Sequence, residues 1–141
     1  DTFDHFYFIE ASIKMGVSYQ IQGRINEGFY DTSVEQTLNR EFCYWKEIRH
    51  RIFDIIKGKR LPLSCKIVLG LSKQSISYLI AHNNSSFREE DIEGIYINIL
   101  YDPKNLLITT GISYKNFSLD KSLEYAFDEY LAKFLKEKAV I

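Results

Sequence analysis

The chain has 141 residues, 45% hydrophobic and 15% aromatic, which fits one domain (residues 1–141) around one core and argues against disorder. Its 18 Lys and Arg stand against 19 Asp and Glu, so a formal charge of −1 exerts no global pull toward nucleic acid or acidic lipid. No apolar run reaches the roughly 18 residues that span a bilayer, and no signal peptide is visible.

Residues 5–15 read as a first strand, with Tyr7, Ile9, Ala11, Ile13 and Met15 on one side and Phe6, Phe8, Glu10, Ser12 and Lys14 on the other. Gly16 turns the chain into a second strand, 17–26, so the two form a hairpin. Here the alternation has no miss: Val17, Tyr19, Ile21, Gly23 and Ile25 oppose Ser18, Gln20, Gln22, Arg24 and Asn26. One dry face and one wet face imply an antiparallel sheet covered on one side.

A first helix is expected over 34–57. Ser33 and Gln36 fit a capping box, and Val34, Leu38, Phe42, Trp45, Ile48, Ile52 and Ile56 form a single stripe. Gly58 ends it and Pro62 prevents a restart. Residues 63–71 make a third strand, Ser72 caps a short second helix through Ile76, Leu79 and Ile80, and 83–86 is a polar loop. Strands over 95–101 and 106–114 flank an Asp102-Pro103-Lys104-Asn105 turn. A third helix follows Ser118, with Leu119, Leu123, Phe127, Tyr130, Leu131 and Phe134 buried.

The order ββαβαββα predicts a two-layer α+β fold. A five-stranded, mainly antiparallel sheet carries the first and third helices side by side on its apolar face. The opposite face is expected to hold Glu10, Ser12, Gln20, Gln22, Arg24, Lys66, Asn98, Thr109 and Ser113 together with Phe6, Phe8, Val68, Tyr96, Leu100 and Leu107. That mixture is too polar for a second core and too apolar for a purely solvated surface. The second helix with an upstream segment, a partner protein, or a second copy of the chain are the possible covers.

Motifs for chemistry are lacking. His5, His50 and His82 have no metal-ligand spacing, and no metal or other cofactor is expected. Cys43 and His50 would lie on one helix about 10 Å apart, too far for a thiol and its base. Cys43 and Cys65 read as reduced thiols of a cytoplasmic protein. Glu89, Glu90, Asp91 and Glu93 lack the spacing of a calcium loop and read as a solvated turn. The segment 46–66 holds seven cations (Lys46, Arg49, Arg51, Lys57, Lys59, Arg60, Lys66) against Glu47 and Asp54. Lys57, Lys59 and Arg60 complement the negative end of the first helix, or they meet phosphate.

Glu10-Ala11-Ser12-Ile13, Gly23-Arg24-Ile25, Lys57-Gly58-Lys59-Arg60 with Pro62-Leu63-Ser64, and Leu119-Asp120-Lys121-Ser122-Leu123-Glu124 carry a resemblance over nearly the whole chain. It is to a family of small uncharacterised proteins from anaerobic Gram-positive bacteria, a domain of unknown function. The resemblance implies an N-terminal segment before Asp1 and supplies no activity, cofactor or catalytic residue.

The reading that follows is a non-enzymatic cytoplasmic binding or protein-interaction domain using the mixed sheet face, with a protein partner or a homodimer and no membrane. Arg24, Lys66 and Asn98 are its candidate site residues, with Phe8 and Tyr96 beside them. The alternatives are a nucleic-acid accessory protein acting through Lys57, Lys59 and Arg60, and an enzyme whose site is assembled from distant residues.

Overall fold

The computed structural model describes residues 3–29, 40–82 and 87–137. Among them the chain forms β1 (Tyr7–Lys14), β2 (Ser18–Gln22), α1 (Trp45–Ile56), β3 (Ser64–Gly70), α2 (Lys73–His82), β4 (Ile92–Tyr101), β5 (Leu106–Tyr114) and α3 (Ser122–Glu137). A single 3-10 turn, Glu89–Asp91, precedes β4. The five strands pair in the order β2-β1-β3-β4-β5, every neighbour antiparallel. The expected α+β class, element order and antiparallel sheet are therefore present.

Register converts the alternation of each strand into rows across the sheet. One inner row runs Ile21, Ala11, Ile67, Ile99, Ile108, and the next Tyr19, Ile13, Cys65, Tyr101, Leu106. Onto this face pack Trp45 and Ile52 of α1, Ile76 and Leu79 of α2, and Leu123, Phe127, Leu131 and Leu135 of α3, all in one buried cluster. Each large apolar side chain buried there contributes roughly 1.5–3 kcal/mol. The helix layer thus holds the sheet from one side, and Trp45 and Phe127 share that side.

Local chemistry explains the ends. Ser72 Oγ accepts the N–H of Ser75 at the start of α2 (3.3 Å), and Asp120 Oδ1 accepts that of Ser122 at the start of α3 (2.9 Å). Asp102 Oδ1 accepts the N–H groups of Lys104 and Asn105 at 2.8 and 2.9 Å, closing the β4–β5 turn.

The structure departs from the sequence reading in several places besides the start of β4, which lies at Ile92 and not at 95 as expected. The first is a β-bulge between Phe8 and Glu10, which shifts the pairing of β1 with β3. One extra residue turns every side chain before it to the other face. Phe8 therefore lies inside, 0% exposed, against Trp45 with ring centroids 6.0 Å apart. Phe6 is buried too, 5.4 Å from the Phe134 ring.

The second is the start of α1. The expected Ser33–Gln36 capping box, with Val34 and Leu38, lies outside the described residues. Residues 40–44 are not helical, and the helix begins at Trp45, where Glu47 Oε1 accepts the Tyr44 N–H at 2.9 Å. This segment enters a fork in the hairpin. The Cys43 carbonyl accepts the Phe8 N–H (2.8 Å), and the Cys43 N–H donates to the Gly23 carbonyl (2.9 Å). Phe42 bridges Arg24 and Tyr44 bridges Tyr7. β2 consequently stops at Gln22, well short of the expected Asn26.

Third, α2 does not cross to the outer face: its Ile76 and Leu79 join the same core as α1 and α3. Fourth, α3 starts at Ser122, which leaves Leu119 81% exposed. The expected loop at 83–86 lies outside the described residues.

Candidate binding surface

Two complete rows cross the outer face. Gln22, Glu10, Val68, Asn98 and Thr109 form one; Gln20, Ser12, Lys66, Leu100 and Leu107 form the next. Among the described residues no helix lies over them. Each row mixes polar side chains on the β1–β2 side with apolar or neutral ones toward β5. Leu100 and Leu107 are 37% and 53% exposed.

At the β4–β5 turn the second row opens into a hollow of about 700 Å³. Lys14, Lys66, Ser12 and Ser64 line one side, and Leu100 and Leu107 the other. Lys14 stands opposite Ser64 while Ser12 stands opposite Lys66, so the two lysines are diagonal neighbours on one face. Neither ammonium has an ion-pair partner among the described residues. Asp102, the acid at the rim, is committed to the turn amides. The hollow thus offers two adjacent cations beside apolar surface, a pairing that suits a carboxylate-bearing ligand with an apolar body.

The sequence candidates divide between this hollow, its surroundings and the core. Lys66 lines the hollow, and Asn98 sits one row away, opposite Val68 and Thr109. Tyr96 lies a further row on, between Gly70 and Gly111. Burial, then the Glu93 and Glu41 carboxylates, push its phenol up, so the ring stays neutral. Gly94 lets that ring lie flat along β4, since a Cβ there would sit 2.2 Å from the Tyr96 hydroxyl.

Arg24 is not gathered with Lys66. It stands at the fork, ion-paired to Glu41, with its guanidinium carbon 5.1 Å from the Phe42 ring centroid. Phe8 is on the inner face and takes no part in the surface. Lys14 and Ser64 are the residues that the sequence reading did not single out. Lys14 was visible as an outer-face position of the first strand, but only the β1–β3 register sets it beside Lys66.

The basic segment is divided. Arg49 pairs with Asp4 (3.2 Å) and Lys57 with Asp54 (3.1 Å). Lys59 and Arg60 are exposed in the α1–β3 connection, whereas Lys66 is on the outer sheet face. Both cysteines are free, and burial pushes both thiols up, which opposes a thiolate nucleophile. Cys43 lies before the helix, not on it as expected. Among the described residues no three of His, Cys, Asp and Glu gather to hold a metal, and no helix is long and apolar enough to cross a membrane.

No curated protein and no solved structure matches the chain. A family model does match, over residues 1–141, and on that match the chain belongs to a family of unknown function (DUF5721).

Proposed function

We propose that the domain is a non-enzymatic binding module that takes an acidic, partly apolar segment of a protein partner on the outer face of its sheet. The observation that carries this reading is the hollow, where two ammonium groups without ion-pair partners among the described residues stand beside Leu100 and Leu107. Asn98 and Tyr96 extend the same surface and supply a hydrogen-bonding amide and a neutral ring. Two free thiols support a cytoplasmic setting, and the resemblance described above supports a bacterial one.

The test is an amide NMR titration with a synthetic peptide that alternates Asp or Glu with Leu. Saturable shifts at Lys14, Lys66, Leu100 and Leu107 are expected, with binding weakened about tenfold in a Lys14→Glu/Lys66→Glu variant, some 1.4 kcal/mol. Added salt should weaken the wild-type interaction. Shifts confined to other surfaces, or none at all, would overturn the reading.

A further inference from the structure

The strand order leaves β5 at an edge of the sheet, paired among the described residues with β4 alone. An edge strand presents unpaired N–H and C=O groups, and proteins usually guard such an edge with charge, proline or brevity. β5 has none of these guards. Its nine residues, LLITTGISY, carry no charge and no proline. β2, at the other edge, has only five residues, and the hairpin is occupied at the fork by residues 41–45.

Alongside β5 runs an open trough of about 660 Å³ between the strand and α3. Ile108, Thr110, Leu131 and Leu135 line it. Its one acid, Asp128, accepts a hydrogen bond from the Thr110 hydroxyl at 2.6 Å. The trough lies where the inward side chains of a sixth strand would sit, beside the backbone groups that strand would satisfy.

We propose that the sixth strand is β5 of a second copy, paired antiparallel across a two-fold axis to make one continuous sheet. The argument for a copy is self-complementarity. A two-fold that keeps the helix layers on one side sets even-numbered residues opposite even-numbered ones. Ile108, Thr110 and Ile112 then meet one another on the inner face, and Leu107, Thr109 and Ser113 meet on the outer face. No register opposes two charges within the strand. An acidic segment of the kind that suits the lysine hollow finds no complement on this neutral edge, so the two surfaces serve different partners.

Sedimentation and amide exchange on the same sample test this. The wild-type chain should sediment as a dimer with consecutive β5 amides slow to exchange. Thr109→Lys places a charge on the exposed face of the edge and should return a folded monomer whose melting, unlike that of the wild type, does not depend on protein concentration, and in which alternate β5 amides exchange fast. Lys66→Glu should leave the dimer intact, which separates this interface from the lysine hollow. A wild-type monomer would overturn the proposal. Protected β5 amides in that monomer would mean that the chain covers its own edge. A dimer whose alternate β5 amides exchange fast would overturn it too.

Discussion

Gly23 and Gly111 stand toward opposite edges of one sheet, and the space around them differs completely. A Cβ on Gly23 would meet the Phe8 carbonyl oxygen at 1.8 Å and the Phe8 ring at 2.7 Å. Among the described residues, a Cβ on Gly111 would meet nothing within 4 Å. At the first edge the chain crowds against itself, because residues 41–45 and the end of the hairpin share one small volume. At the second it leaves room. One edge is finished by the protein's own backbone, while the other has no further strand beside it among the described residues.

Substitutions sharpen that contrast, and the largest effect is expected at Gly23. Gly23→Ala forces backbone apart, since a carbonyl oxygen cannot rotate away as a side chain can. We expect a loss on the order of 3 kcal/mol or more in urea denaturation, or no folded protein. A fully folded, equally stable variant would show that the crowding at the fork is not real.

Trp45→Ala comes next, at roughly 3 kcal/mol, because Trp45 is 6% exposed and packs on Phe8 where β1 meets α1. Its near-ultraviolet circular dichroism should also lose the signal of the chain's single tryptophan.

A smaller effect is expected at Glu47. Its hydrogen bond from Arg40 holds the carboxyl below the usual carboxylate range, and its Oε1 also accepts the Tyr44 N–H. A lowered folded value means that this stabilisation is fully present above the ordinary carboxylate range. It disappears as acid carries the pH down through the lowered value. Glu47→Gln should cost about 1 kcal/mol at neutral pH, and its stability should fall less steeply in acid than that of the wild type. Equal acid slopes would remove Glu47 from the account.

The smallest effect should come at the open edge. Gly111→Ala should change stability by less than about 1 kcal/mol, with either sign acceptable and a gain favoured by the entropy that alanine removes from the unfolded chain. A large loss there would mean that the outer side of β5 is filled in solution, and melting at two protein concentrations would reveal whether a second copy fills it.

Much of the architecture was readable from spacing. Strict alternation assigns the faces correctly over 18–22 and 64–70, though not to the ends of the expected strands at 17–26 and 63–71, and the helical stripe through Trp45, Ile52 and Ile56 marks what covers the sheet. Phe8 was misplaced because a bulge leaves no mark in composition: Phe-Ile-Glu reads as ordinary alternation whether or not one residue is extra. The start of α1 was placed too early because Phe42 falls at helical spacing from Trp45, yet its ring packs beside Tyr7, 6.1 Å between centroids. Lys66, Asn98 and Tyr96 lie on the outer face that strand parity assigns to them, Lys66 exposed and the other two half-buried. The partnership of Lys66 with Lys14 was hidden, since it depends on which strands become neighbours after a helical excursion of the chain.

The two bonds of Cys43 have a kinetic meaning as well as a structural one. A two-stranded hairpin can slide by two residues and keep its side chains on the same faces, so alternation alone does not prevent slippage. Here one residue donates its N–H to the Gly23 arm and accepts at its C=O from the Phe8 arm. Neither arm can creep past the other without breaking both bonds and dragging the beginning of α1 with it. The domain therefore carries its own ratchet stop, set by the backbone of Cys43.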